Sequence, residues 1–207
     1  GDEIVPLASA SKLPAMAAIM TVVDDGLLTL DTTVGQVFGG AGVDKAPITL
    51  AQLMSHTRGL PVQHRDFADV TITLEESANR LLSLPLHHPP GEAFLYGGVG
   101  MHIAGRMAEI ADGRPWRELF TDRLGEPLEA TSWSYSGGSN PRVPGGLSST
   151  VDDYDRVLRM LMGGGRFGER TVLSADAVEA MWTNQWLGET VVWAAVPGFL
   201  GYGLGQW

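Results

Sequence analysis

The sequence predicts an α+β fold that is mostly helical. Eight segments are predicted to be helices, and several of them start after Ser or Thr and stop at Gly or Pro. Segments typical of strands occur near the end of the chain, at Thr190–Trp193 and Phe199–Trp207. Hydrophobic residues make up 44% of the chain and charged residues 18%, as in globular domains and unlike disordered chains. We therefore expect a single domain over residues 1–207.

The first predicted helix is apolar on all sides. Met16–Val23 consists of Ala, Ile, Met and Val with one Thr, a composition that indicates a buried helix. Because proline is tolerated only in the first turn of a helix, Pro14 places the start near Ser11. Ser9 would then lie on a tight leading turn of the 3₁₀ type, where positions i and i+3 lie above each other. Gly26 is suited to end the helix.

Ser9 and Lys12 have a spacing that can support nucleophilic catalysis. Residues i and i+3 share one helical face, so the Ser9 hydroxyl and the Lys12 amine can meet without help from distant chain. Such a pair can act as a nucleophile and its base. The helix N-terminus favours an unprotonated amine and a developing oxyanion. The alternative is an ordinary helix start with a solvated lysine.

The later helices are predicted from periodicity and capping residues. The segments are Val34–Phe38, Leu50–Ser55, Leu74–Leu84, Val99–Ala111, Trp116–Leu124, Val151–Met162 and Ala175–Asn184. The expected caps are Thr49, Thr73, Thr150 and Ser174, and Thr73 forms a capping box with Glu76. Gln63–Val70 and Ser134–Pro144 lack periodicity and are expected to be loops that border the functional site.

Several function classes are excluded or disfavoured by composition. The net charge of −10 argues against nucleic acid as a partner, because phosphate binding needs a basic surface. The sequence has no apolar run long enough to span a membrane and no signal-peptide pattern. The absence of cysteine excludes disulfides, thiolate metal sites and a cysteine nucleophile, and is compatible with cytoplasmic and with periplasmic or secreted proteins.

No metal site and no other cofactor is predicted. Asp24 and Asp25 lack the spacing of a calcium loop, and the vicinal pair His87 and His88 cannot easily direct both rings to one ion. His56 could act as a base, but no carboxylate lies near it in the sequence. We expect its ring to fix the loop that follows a helix.

Several stretches, in this order, resemble signatures of the class C β-lactamase-like serine hydrolases. They are Leu7–Lys12 with Asp25–Asp31, Leu53–Pro61, Pro90–Tyr96, Glu126–Leu128 and Gly145–Asp153. The family includes β-lactamases, D,D-peptidases of the penicillin-binding type, D-aminopeptidases and family VIII carboxylesterases. The resemblance implies a serine β-lactamase/transpeptidase-like α+β fold, of which this chain would hold mostly the helical part.

The resemblance also implies acyl transfer through an ester on Ser9. Lys12, kept partly neutral by burial and neighbours, would accept the Ser9 proton. Tyr96 would share the acid and base work and pass a proton to the leaving group. The Ser9 N–H would be one oxyanion donor, and Gly97 and Gly98 would let substrate approach the backbone closely. The alternative for Tyr96 is an aromatic side chain packed beneath the turn.

Two departures from the family pattern limit which of the family's activities we expect. Where the family has Tyr-x-Asn, this chain has Tyr96-Gly97-Gly98, and Gly98 offers no amide to contact a substrate amide or to orient the lysine. The family's Lys/His-Thr-Gly motif is missing. The strands before the serine and after Trp207 would be missing too, so we expect a domain that is incomplete at both ends. Further segments or a second chain would complete the sheet.

The function that fits best is a carboxylesterase acting on small acyl esters, with weak β-lactam hydrolysis as a side activity. Its substrate would be a small-molecule ester or amide. The alternatives are a β-lactamase, a D-amino-acid-specific peptidase, and a non-catalytic binding or regulatory module that keeps the fold. An α/β-hydrolase is disfavoured, because the chain has no Gly-x-Ser-x-Gly nucleophile elbow.

Overall fold

The computed structural model describes residues 1–40, 42–135, 137–196, 198 and 201–206. The α-helices are α1 (Lys12–Asp24), α2 (Val34–Phe38), α3 (Leu50–Met54), α4 (Arg65–Ala68), α5 (Leu74–Leu82), α6 (Val99–Asp112), α7 (Trp116–Phe120), α8 (Val151–Met162) and α9 (Ala175–Trp182). The strands are β1 (Val5–Pro6), β2 (Ala93–Leu95), β3 (Ser134–Tyr135), β4 (Leu147–Ser149), β5 (Arg166–Phe167), β6 (Arg170–Thr171) and β7 (Thr190–Trp193). A 3₁₀ turn (Ala8–Ser11) precedes α1, and a π-helical turn (Thr121–Gly125) follows α7. Within the described residues, no helix is both long and apolar enough to cross a bilayer.

Helix α1 lies at the centre of the molecule. Every side chain from Ala15 to Ile19 is fully buried. Burial of residues such as Met16 and Ile19 contributes about 1.5–3 kcal/mol each. The helix packs against α6, α7, α9 and the π-helical turn, and the loop of residues 201–206 closes over it near Gly205. The buried helix was predicted from its composition, and within the described residues helices and this loop cover it.

The strands form small sheets, and one of them supports the start of α1. Strands β1 and β3 both pair antiparallel with β4, β2 pairs parallel with β7, and β5 pairs antiparallel with β6. The Leu7 N–H donates to the Leu147 carbonyl at 2.9 Å, and the Leu147 N–H donates to Ser11 Oγ at 3.3 Å. Strand β4 therefore holds both ends of the 3₁₀ turn.

The expected caps are present, and most helix ends lie within two residues of their expected positions. Thr49, Thr73, Thr150 and Ser174 each accept a hydrogen bond from a backbone N–H three residues on. These side chains satisfy a helix-terminal donor that would otherwise lack a partner. The predicted strand Thr190–Trp193 is present.

The structure corrects four sequence-based expectations. Gln63–Val70, expected to be a loop, contains α4, and Ser134–Pro144 begins with β3. The helix expected over Trp116–Leu124 changes into a π-helical turn after Phe120. Residues 201–206, expected to be a strand, have no regular secondary structure. Of the predicted strand and the turn before it, Pro197, Phe199, Leu200 and Trp207 lie outside the described residues.

Helix α4 is stabilised by hydrogen bonds that cannot be read from the periodicity of its own sequence. The His64 ring accepts a hydrogen bond from the Asp66 N–H at 3.3 Å. Asn140, which is fully buried, directs Nδ2 to the carbonyls of Asp66, Phe67 and Asp69 at 3.0–3.3 Å. A side chain more than seventy residues away in sequence thus holds this short helix in place.

Candidate active site

A cavity of about 520 Å³ opens at the N-terminal end of α1. The five residues that the sequence singled out, namely Ser9, Lys12, Tyr96, Gly97 and Gly98, all line this cavity. The segment before α4, Phe67 within α4 and the segment before β4 also line it, as expected for the borders of the site. The fold thus brings together residues that are almost ninety positions apart in sequence.

Ser9 lies on the 3₁₀ turn and is exposed to the cavity, whereas Lys12 is buried. Ala8, directly before Ser9, has a φ of 46°. A left-handed conformation costs a non-glycine residue on the order of 1 kcal/mol and persists only where the surroundings impose it. Here the constraint comes from β4 on one side and from α8 on the other, where Tyr154 Oη donates to the Ala10 carbonyl at 3.2 Å. The leading turn expected from Pro14 is therefore present.

Lys12 has the contacts and the electrostatics of a proton acceptor. Its Nζ lies 3.1 Å from Ser9 Oγ and 3.5 Å from the Pro144 carbonyl oxygen. The side chain is only 6% exposed, and no carboxylate pairs with it among the described residues. Burial and, to a smaller extent, the charge of Arg58 lower the pKa of Lys12 to about 8. At pH 7 about a tenth of the molecules then carry a neutral amine, whose lone pair can take the Ser9 proton.

Tyr96 lies directly against Lys12. Lys12 Nζ is 4.8 Å from the centroid of the Tyr96 ring. The Tyr96 N–H donates to the Trp193 carbonyl at 3.1 Å, which fixes the end of β2 to β7. The ring is 8% exposed and packs against His56, with centroids 4.6 Å apart. Tyr96 is therefore both a packed aromatic residue and a neighbour of the serine–lysine pair.

Gly97 and Gly98 are required by the close approach of a neighbouring segment. A Cβ atom at Gly97 would lie 2.2 Å from the Val62 carbonyl oxygen. A Cβ atom at Gly98 would lie 2.9 Å from Cζ of Phe67, and the Gly98 N–H donates to the Val62 carbonyl at 3.1 Å. The Phe67 ring thus occupies the space that a side chain at position 98 would need.

Phe67 is held from behind by α6. Its ring meets that of His102 edge to face, with centroids 5.1 Å apart. His102 Nε2 lies 3.0 Å from Ser77 Oγ, and burial lowers the pKa of His102 to about 3. His102 is therefore neutral in the physiological range and acts as an apolar support for the cavity wall.

His56 has the structural role that the sequence suggested and does not line the cavity. It is fully buried, with Nδ1 at 3.3 Å from Arg58 Nη1 and Nε2 at 3.0 Å from Tyr202 Oη. Burial and, to a smaller extent, the charges of Arg58 and Lys12 lower its pKa well below the ordinary value. The neutral ring ties the loop after α3 to the C-terminal loop.

Sequence reasoning missed two neighbours of the site, Arg58 and Phe67. The only signal for Arg58 was its position in Leu53–Pro61, where the resembled segment carries Ser. Phe67 gave no signal, because it lies in a stretch without periodicity. Trp193 lines the cavity, whereas Trp133 and Trp186 do not.

Comparison with known proteins agrees with this geometry. The family model described as Beta-lactamase matches residues 1–207. The chain is 30% identical over 135 residues to penicillin-binding protein 4 of Amycolatopsis lactamdurans, which covers 61% of this chain and 35% of that protein. It is 28% identical over 204 residues to lovastatin esterase of Penicillium rubens, which covers 81% of this chain and 51% of the esterase. The chain thus spans between a third and about half of the length of these curated relatives.

The fold is that of solved β-lactamase-like structures. A candidate β-lactamase from Bacteroides dorei DSM 17855 superposes with a TM-score of 0.89 and is 36% identical. The superposition covers 100% of this chain and 67% of that structure. The α+β fold of the β-lactamase and penicillin-binding proteins is therefore confirmed for the helical part that these residues form. By its full-length match to the family model, the chain belongs to the beta-lactamase family.

Proposed function

We propose that the protein is a serine hydrolase that cleaves small carboxylic esters through an acyl-enzyme on Ser9. The observation that carries this proposal is the exposed Ser9 hydroxyl at the mouth of a cavity, 3.1 Å from a buried Lys12 amine that has no carboxylate partner among the described residues. A single domain over residues 1–207, completed by further strands, stays a prediction.

The proposed reaction has two acyl-transfer steps. Ser9 Oγ attacks the ester carbonyl carbon while the neutral Lys12 amine takes the hydroxyl proton. The Ser9 N–H donates to the oxyanion, and the C–O bond to the alcohol breaks as Lys12 returns the proton to the leaving oxygen through Tyr96. A water molecule then adds to the acyl–Ser9 ester and loses its proton to the same pair. Release of the carboxylic acid restores Ser9.

The lining of the cavity supports an uncharged, apolar acyl group. Apart from the three proposed catalytic residues, only Gln63 and Trp193 bring hydrogen-bonding side chains to the described lining. Val62, Phe67 and Pro144 contribute apolar surface. Apart from Lys12, whose amine must be neutral to act as the base, these lining residues include no charged side chain, so a charged acyl group would lose its hydration without a counter-charge.

Gly98 and Phe67 together favour esters over amides. In the family pattern an Asn at this position contacts the substrate amide. Here Gly98 has no side chain, and Phe67 fills the adjacent space. An amide N–H that enters this part of the cavity would meet an aromatic ring, and a buried donor without a partner costs about 1–3 kcal/mol.

The pH dependence of ester hydrolysis tests the role of Lys12. Lys12 must be neutral to accept a proton, and its pKa is about 8. We therefore expect kcat/KM for p-nitrophenyl butyrate to rise with pH through a limb near 8 and then level off. Lys45→Met, which changes the only other lysine, serves as the control and keeps this limb. A profile that is flat between about pH 6 and 9 would remove Lys12 as the base.

The acyl preference tests the role of Phe67. The wild type should prefer p-nitrophenyl butyrate over the acetate, and Phe67→Ala should lower this preference roughly tenfold, since two buried methylenes are worth about 1.6 kcal/mol. D-alanine p-nitroanilide should be turned over at least about a hundredfold more slowly than the butyrate, after each rate is divided by the uncatalysed rate. Phe38→Ala, on α2 away from the cavity, is the matched control. Efficient turnover of the D-alanine anilide or of a penicillin would favour the peptidase or β-lactamase alternative.

A further inference from the structure

Arg58 is a buried cation with no carboxylate partner among the residues that the structure describes. The side chain is fully buried. Nη1 donates to the Leu95 carbonyl at 2.5 Å and to His56 Nδ1 at 3.3 Å, and Nη2 donates to the Pro61 carbonyl at 3.2 Å. Nε has no hydrogen-bond partner. A buried charge normally requires a counter-charge, because its desolvation costs several kcal/mol.

The fold makes room for this side chain. A Cβ atom at Gly100 would lie 2.6 Å from Arg58 Cδ and 2.7 Å from the Leu53 carbonyl oxygen. Gly100 is the second residue of α6, where glycine otherwise weakens a helix by about 1 kcal/mol relative to alanine. Both Gly100 and the buried charge of Arg58 are therefore unfavourable for stability by themselves, and a role of Arg58 in the site would account for them.

A short chain of contacts links Arg58 to Lys12. Arg58 Nη1 lies 3.3 Å from His56 Nδ1, the His56 and Tyr96 rings are 4.6 Å apart, and the Tyr96 ring is 4.8 Å from Lys12 Nζ. These side chains are at most 8% exposed, so little water screens the charge of Arg58 from Lys12.

His56 lies between Arg58 and Tyr96 and does not neutralise the charge of Arg58. Its Nδ1 faces two donors, Arg58 Nη1 and the Gly97 N–H at 3.4 Å, and must therefore carry the lone pair. The ring proton is then on Nε2, which donates to Tyr202 Oη at 3.0 Å. His56 is held as one neutral tautomer, and the positive charge of Arg58 stays uncompensated.

We propose that Arg58 is a positioning residue whose buried charge keeps the Lys12 amine in its neutral, proton-accepting form. Its bond to the Leu95 carbonyl also holds the end of β2, so that Tyr96 stays against Lys12. This inference rests on the hydrolase function proposed for Ser9 and Lys12. It assigns a role in the reaction to a residue that does not line the cavity.

The titratable side chains near Lys12 lie on different segments of the described chain. Tyr96 follows β2, His56 and Arg58 follow α3, and Tyr202 lies in the C-terminal loop. The segment before β4 contacts Lys12 through the Pro144 carbonyl. Asp24, the last residue of α1, and Asp25, which follows it, lie at the other end of the helix, about 20 Å away for a helix of this length.

Arg58 and Tyr202 each remain in one charge state near neutral pH. Burial lowers the pKa of Arg58 to about 10, so its guanidinium stays charged at pH 7. Burial raises the pKa of Tyr202 well above its usual range, so Tyr202 stays neutral. Arg58 is thus a cation near Lys12 that persists throughout the pH range of the assay, and it disfavours the ammonium form.

The test is to remove the charge of Arg58 and to measure the pH at which Lys12 titrates. In Arg58→Gln and Arg58→Ser, the limb of kcat/KM should move up by about one pH unit and activity at pH 7 should fall roughly tenfold. Activity well above the new limb should approach that of the wild type. Arg58→Lys keeps the charge and should restore the original limb. Arg159→Gln, on the exposed face of α8, is the matched control.

Competitive acetylation gives a second measurement that needs no turnover. Lys12 and Lys45 are the only lysines, so mass spectrometry of their peptides reports the titration of each amine separately. The Lys12 profile should shift upward in the neutral Arg58 variants, while that of Lys45 stays in place. If wild-type hydrolysis is absent, the proposed function fails, whereas the acetylation profiles still decide the role of Arg58.

Two results would overturn the inference. One is an unchanged Lys12 profile in a folded Arg58→Gln or Arg58→Ser protein. The other is that neither neutral variant folds while Arg58→Lys does, because the charge would then be a requirement of the fold and not of Lys12.

Discussion

Ser9→Ala is expected to abolish covalent labelling by a fluorophosphonate probe and to lower ester turnover at least about 10⁴-fold. The hydroxyl is the only group on the 3₁₀ turn that lies at hydrogen-bond distance from Lys12 Nζ. Its loss removes the atom that would form the acyl-enzyme. Because Ser9 is exposed and donates to no other described group, its replacement should leave the fold unchanged. Intact-protein mass spectrometry and p-nitrophenyl butyrate turnover give the two measurements.

The control for this prediction is Ser83→Ala, an exposed serine at the end of α5. It should label and turn over like the wild type. Labelling that persists in Ser9→Ala, or that maps to another serine, would show that the nucleophile is elsewhere. A folded wild type that takes no label and hydrolyses no ester would instead support a non-catalytic member of the family.

Lys12→Met is expected to lower kcat about 10³-fold, with little change in KM. Methionine keeps most of the volume and the burial of the side chain but cannot accept the Ser9 proton. The substitution also removes a buried amine that has no carboxylate partner among the described residues. Removal of a desolvated charge-bearing group should leave the melting temperature equal or raise it. Loss of activity without loss of stability therefore separates a catalytic from a structural role.

Lys45→Met is the matched substitution for this variant. Lys45 is as buried as Lys12, but it forms an ion pair with Asp44 at 2.7 Å and lies away from the cavity. We expect Lys45→Met to destabilise the protein while keeping kcat. If both lysine variants lose activity in proportion to their loss of stability, Lys12 is not the base.

The cavity residues that depart from the family pattern bear on why members of one family differ in substrate. Ser9, Lys12 and Tyr96 keep the family order, whereas position 98 and the neighbouring α4 do not offer an amide. Phe67 replaces a polar contact with an apolar wall that is supported by His102. Under the proposed function, the Ser9–Lys12 pair would set the reaction class, and the segment from Val62 to Phe67 would select the substrate.

Local signals in the sequence were sufficient for much of the framework. The Thr and Ser caps, the apolar composition of α1 and the position of Pro14 each depend on neighbours within a few residues. The same holds for the Ser9–Lys12 pair, because both residues belong to one turn. Tyr96, Gly97 and Gly98 required the resemblance to a family, since nothing in their own spacing places them beside Lys12.

Only the tertiary structure decided the walls and the electrostatics of the site. Helix α4 forms because Asn140 binds its carbonyls, and Phe67 reaches Gly98 because of that helix. Arg58 lies in a loop, where charged side chains are usually exposed, yet it is fully buried and its Nη1 lies 3.3 Å from His56 Nδ1. Caps and helical spacing are interactions between neighbours in sequence, and so the sequence determined them. Burial, packing and the pKa of a buried lysine depend on residues that meet only after folding.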